Sequence, residues 1–234
     1  MINNDIAPEL LEKLLYKFKE KTKKHERLRA LDEMLKSKTA TYKEANEYSI
    51  IVGELLAEVF KENLSSESLP DKKMYFNIAE RILNGTMEEN YNLVSNYSTE
   101  VQEALNSTAG MGLKAVKPPL NQDRVDGIIV RVSSAEDFDD IKWILDEPVK
   151  NFSQSIVDEF IKLNVEFHND MGLSPKIIRR EAGGCCDWCS EIVGEYEYPD
   201  VPDDIYRRHR YCRCTVDYYP GDGRKQNVHS KNWR

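Results

Sequence analysis

The chain has 234 residues, 40% of them hydrophobic and 32% charged, with a formal net charge of −8. That balance is that of a globular chain long enough to bury a full core, and no apolar run approaches the length that would span a membrane. The opening Met1-Ile2-Asn3-Asn4-Asp5 lacks a basic segment followed by an apolar one, so the sequence reads as synthesised in a cytoplasm, where thiols stay reduced.

Charge is uneven along the chain. Lys17 to Arg29 holds seven Lys or Arg against two Glu, and Ile205 to Arg234 holds eight against two Asp. Basic ends around an acidic middle point either to contact with a polyanion or to charged residues that merely solvate a surface.

The first element is predicted as one helix from Pro8 to Leu35, with Leu11, Leu14, Leu15 and Phe18 on a stripe that Leu28, Leu31 and Leu35 resume. A second runs from about Thr41 to Leu64, with Tyr42, Ala45, Tyr48, Val52, Leu55 and Val59 on one face. Pro70 opens a third that Gly85 closes, and a fourth carries Tyr91, Val94, Tyr97, Val101 and Leu105. Four amphipathic helices make a bundle or an elongated arm.

Residues 106 to 119 loosen the chain at Gly110 and Gly112 and stiffen it at Pro118-Pro119, which marks the joint. Gly127 to Val132 reads as a strand, and Ser134 with Asp137 starts a helix ending near Leu145, its first turns rich in carboxylates that suit the helix dipole. The clearest helix carries Val149, Phe152, Ile156, Phe160, Leu163, Phe167 and Met171 and stops at Gly172. His168 lies beside its apolar face as a structural residue. Strands follow at 175–181 and 212–219, with Tyr196 and Tyr198 on a hairpin return and a turn at Pro220 to Gly223. The fold class is mainly α with a small β zinc-binding C-terminal module, an α+β chain divided into a helical region 1–110, a linking region 111–175 and a β module with a basic tail, 176–234.

All five cysteines fall in two short stretches, Cys185-Cys186-Asp187-Trp188-Cys189 and His209-Arg210-Tyr211-Cys212-Arg213-Cys214. Two ligand pairs brought from separate loops are the pattern of a tetrahedral metal site, and sulfur mixed with nitrogen suits Zn2+, one ion per chain. Cys186 and Cys189 have the knuckle spacing; Cys185 points elsewhere. His209, Cys212 and Cys214 compete for the other two places: an extended 212–214 turns both cysteines the same way and leaves His209 over, whereas a turn at Tyr211 lets His209 replace one of them. Disulfides are the alternative for these residues, though an odd number of cysteines in a reducing compartment weighs against them. The apolar residues of the small sheet are too few to stabilise it alone, so the metal would supply that stability.

The order helix, glycine, strand, C-x-x-C, glycine, H-x-x-C-R-C over residues 149 to 219 resembles the C-terminal domain of phage head morphogenesis proteins, the minor capsid proteins of Mu-like and Gram-positive siphophages. The matching residues are Cys186, Cys189, Gly194, His209, Cys212, Arg213 and Cys214. The chain departs from that family in having Tyr206-Arg207-Arg208 where prolines often precede the histidine, and in the extra Cys185. The resemblance implies a low-copy virion protein of the capsid interior that joins portal, scaffold or major capsid proteins during head assembly or DNA delivery. Arg207, Arg208, Arg210 and Arg213 beside the ligands then form an expected patch for packaged DNA or an acidic partner. The competing reading is a nuclease or other nucleic-acid-processing protein with His209 or His229 as general base among those arginines and Lys231. Zinc deaminase chemistry is excluded, because H-x-E with P-C-x-x-C is absent, and so is a phosphate-binding G-x-x-x-x-G-K-[ST] loop.

Overall fold

A computed structural model describes residues 5–183 and 187–221. Helix α1 (Ala7–Lys24) and helix α2 (Glu26–Lys36) replace the single predicted helix, because His25 leaves helical geometry and its ring accepts a hydrogen bond from the Leu28 amide, which caps α2. Helix α3 (Tyr42–Asn63) begins on a capping box in which the Glu44 side chain accepts from the Thr41 amide at 2.8 Å.

Pro70 opens a 3-10 turn and no more, since Asp71 and Lys72 next to it adopt left-handed backbone angles. Helix α4 (Phe76–Thr108) then runs through Gly85 unbroken, about 50 Å long. Leu11 of α1 packs where a Gly85 Cβ would stand, so this glycine serves close packing of two helices and ends neither.

The predicted strand at 127–132 is a helix. Helix α5 (Gln122–Val132) is capped by the Asn121 side chain, and Val125, Ile128, Ile129 and Val132 form its buried face. Spacings of three, four and seven outweigh the β-branched composition here. Helix α6 (Phe138–Ile141) is capped by Asp137, whose carboxylate accepts from the Asp139 amide, rather than by Ser134, and it passes into a 3-10 turn at Lys142–Leu145.

Helix α7 (Glu147–Asp170) is the central element, packed along α3 and α4. Gly53 of α3 meets Ser153 of α7 so closely that a Cβ would lie 2.7 Å from the serine Oγ, and the same serine donates to Asn90 of α4 at 3.0 Å.

Strands β1 (Lys176–Arg180), β2 (Gly194–Glu197) and β3 (Thr215–Tyr219) form one antiparallel sheet in the order β2-β1-β3, with Ile177 opposite both Tyr196 and Tyr218. A short helix α8 (Asp187–Ser190) lies between β1 and β2. The chain is thus mainly helical with a small sheet. Ile177, Val216 and Tyr218 belong to the same buried cluster as the helices from Ala7 onward, and Asn46 of α3 donates to the Val216 carbonyl at 2.8 Å. Docking on the helices supplies apolar burial that the sheet lacks by itself. Among the described residues no helix is long and apolar enough to cross a membrane.

Candidate metal centre

Strand periodicity builds the floor of the site. Ile177 and Arg179 share the core-facing side of β1, and Cys212 and Cys214 are both buried on the extended approach to β3, with Arg213 between them turned outward. Cys189 arrives from α8. The chain reverses at His209 to Cys212, where the Cys212 amide donates to the His209 carbonyl at 3.1 Å and Tyr211 takes a φ of 65°. That turn has His209 and Cys212 at its base and Arg210 and Tyr211 at its tip.

The Sγ atoms of Cys189, Cys212 and Cys214 lie within 4.8 Å of one another, all three residues buried, and this group could hold a metal ion. Cys189 and Cys212 are 4.0 Å apart, near the edge of about 3.8 Å that Zn–S bonds of about 2.3 Å impose on a tetrahedron. Both candidate cysteines of the second loop face the cluster.

His209 stands beside them. Its Nδ1 donates to the Arg210 carbonyl at 2.7 Å, which leaves the Nε2 lone pair directed at Cys189 Sγ, 3.0 Å away. This is the tautomer that metal-bound histidines adopt, their other nitrogen bound to a carbonyl. The Trp188 ring covers this corner edge-on to the imidazole. Cys186, like Cys185, lies outside the described residues.

Two buried guanidiniums face the sulfurs. Arg179, 1% exposed, sets Nη2 3.9 Å from Cys212 Sγ and 4.0 Å from Cys189 Sγ, while it donates to the carbonyls of Ile205 and Arg207. Arg208 donates to both carboxylate oxygens of Asp158 and to the Cys214 carbonyl at 2.7 Å. Burial alone would lower its pKa, but Asp158 and the neighbouring Cys212 and Cys214 outweigh it and hold the group firmly charged. Together these cations would offset the negative charge of deprotonated sulfurs if the group holds a metal.

One face of α7 receives the whole loop. Glu147 binds Arg213 at 3.1 Å, Asn151 donates to the His209 carbonyl at 3.1 Å, and Gln154 donates to the Cys212 carbonyl and accepts from Arg208, leaving Asp158 to pair with Arg208. Burial raises the Glu147 pKa, yet hydrogen bonds from Arg213 and Lys150 prevail and hold it below the usual carboxylate range. These four residues stand at steps of four, three and four. That i, i+4, i+7, i+11 polar stripe beside the apolar face of α7 was the available sequence signal for the loop's seat.

The expected arginine patch is therefore not one surface. The Arg208 side chain is 2% exposed and serves the fold, Arg213 is bound to Glu147, and Arg207 pairs with Asp204 and lies over Trp188. Only Arg210 of the four is exposed without a carboxylate partner among the described residues. For a nuclease, His209 would have to present a free ring nitrogen to a water, whereas its two nitrogens face Cys189 and the Arg210 carbonyl. His229 and Lys231 lie outside the described residues.

Compared with known proteins, the chain matches no family model, no curated protein and no solved structure.

Proposed function

We propose that the protein is a structural component of a phage head, a low-copy minor capsid protein that joins the portal, scaffold or major capsid proteins, and that one Zn2+ fastens its C-terminal loops. The observation that carries this reading is the gathering of Cys189, Cys212 and Cys214 from two loops into a buried cluster backed by Arg179. A closed, sulfur-rich site of this kind suits a structural ion, with an affinity that derives from deprotonated thiols and a borderline-soft metal. The fourth ligand comes from Cys186, one knuckle spacing before Cys189, or from His209.

The phage reading adds the motif resemblance of residues 149 to 219 to that cluster. On this reading the metal holds the turn at 209–212 in shape for assembly, and the helices offer the partner surface. The test is co-sedimentation of the zinc-loaded chain with a purified portal ring, together with its detection in mature virions. Retention in both supports the assignment; absence from virions and rings alike overturns it, whatever the metal content.

A further inference from the structure

Arginines around the metal loop divide by their partners. Arg207, Arg208 and Arg213 are held by carboxylates, but among the described residues neither Arg131 nor Arg210 makes an ion pair. Both converge on one ring: their Cζ atoms lie 5.9 Å and 4.9 Å from the centroid of Trp143, and Arg210 is also 4.9 Å from that of Tyr211. The four residues come from α5, the Lys142–Leu145 turn and the tip of the 209–212 turn, and all are exposed, Trp143 to 38% and Tyr211 to 62%.

Of the carboxylates flanking Trp143 in the chain, Asp139 pairs with Lys142, Asp146 with Lys150, and Glu147 with Lys150 and Arg213, which leaves Asp140 as the one without an ion pair among the described residues. A guanidinium held near a ring face keeps N–H donors that the ring does not satisfy, and these can meet an oxygen anion. Beside Trp143 opens a cleft of about 450 Å³ walled by Phe60, Phe138 and Leu145.

A ligand that satisfies this surface carries anions for the arginines and flat π faces for the rings, in alternation. Single-stranded nucleic acid has both, since its bases are not committed to a complement. A duplex keeps its bases stacked on one another, and an acidic peptide satisfies the arginines but not the rings. We propose that Arg131, Trp143, Arg210 and Tyr211 form a binding surface for single-stranded nucleic acid, without base specificity. The surface is independent of the phage assignment, and Arg131 and Trp143 lie outside the cysteine loops, so it is tested separately from the metal.

The experiment is fluorescence anisotropy of a labelled oligothymidine of about 15 nucleotides with the zinc-loaded full chain, at about 20 mM and about 200 mM salt. Binding is expected at low salt and weakens as salt rises. Trp143→Leu, apolar but without a stacking face, weakens it roughly ten- to hundredfold, whereas Trp143→Phe stays within about threefold of the wild type. Arg131→Gln and Arg210→Gln each reduce the affinity and the salt slope; Arg29→Gln, on the exposed side of α2, changes neither. The proposal is overturned by absence of binding at low salt, by equal affinity for a duplex of the same length, or by a folded Trp143→Leu that binds as the wild type does. Polyglutamate that displaces the oligonucleotide as well as unlabelled oligothymidine does would reassign the surface to an acidic protein partner.

Discussion

Arg179 and Cys212 are 33 residues apart, and the guanidinium of one lies 3.9 Å from the sulfur of the other inside the protein. The arginine reaches there because β1 alternates its side chains, and it spans two carbonyls of the 205–207 segment on the way. Lysine has one compact ammonium and does not cover both carbonyls and the sulfurs. Arg179→Lys is expected to lower stability by about 2–4 kcal/mol and to weaken zinc binding about 10- to 100-fold, read by denaturant titration and by chelator competition. An unchanged zinc affinity would reduce Arg179 to a packing residue.

The Arg208 and Asp158 pair predicts a strong asymmetry. Arg208→Met or Asp158→Leu alone strands a buried charge and costs about 3–5 kcal/mol, whereas the double substitution costs clearly less than the sum. A double-mutant cycle in urea checks this, and additive losses would mean that the two groups do not depend on each other.

Packing of α3 on α7 is tested at Gly53. A Cβ there meets Ser153 Oγ at 2.7 Å, Ser153 Cβ at 2.9 Å and the Lys150 Cα at 3.0 Å, and backbone does not yield as a flexible side chain does. Gly53→Ala is expected to destabilise by about 1–3 kcal/mol. Gly85→Ala, opposed by the end of Leu11, is expected to cost less; the reverse order in thermal melts would contradict the packing described.

Gly85 shows where the sequence was ambiguous. A glycine inside a periodic pattern marks either a helix end or a close helix contact, and only the neighbour decides. Gly127 to Val132 misled for a related reason: its β-branched run suits a strand, while the helical face becomes evident only when Val125 is included. By contrast, the long apolar periods of α3 and α7 were legible, because burial alone sets them. The clustering of Cys189 with Cys212 and Cys214 was one of the two arrangements that ligand spacing and strand alternation left open. The burial of Arg208 did not, since its partner Asp158 lies 50 residues away on α7, and loop composition carries no trace of that pairing.

His168 gives the fold a pH dependence. It is buried, with one ring nitrogen on the Tyr218 hydroxyl and Nε2 without a partner among the described residues, and burial lowers its pKa below the ordinary value. The unfolded chain therefore binds a proton at higher pH than the folded chain does. Stability from this group is complete above about pH 6.5 and is lost as pH falls through the window between that value and the lower folded pKa. His168→Gln is expected to flatten the stability profile between about pH 7 and pH 5. Parallel profiles for variant and wild type would assign the acid sensitivity elsewhere.

Metal content together with a cobalt spectrum tests whether Cys189, Cys212 and Cys214 hold a zinc ion. Protein purified without added metal or chelator is expected to carry about one zinc per chain. After exchange, Co2+ should show intense thiolate charge-transfer bands, with tetrahedral bands that distinguish a three-sulfur, one-nitrogen set from four sulfurs. Cys189→Ser should abolish stoichiometric binding. Metal-free protein that takes up no Co2+ while its cysteines remain reduced would rule out a zinc site at these three sulfurs.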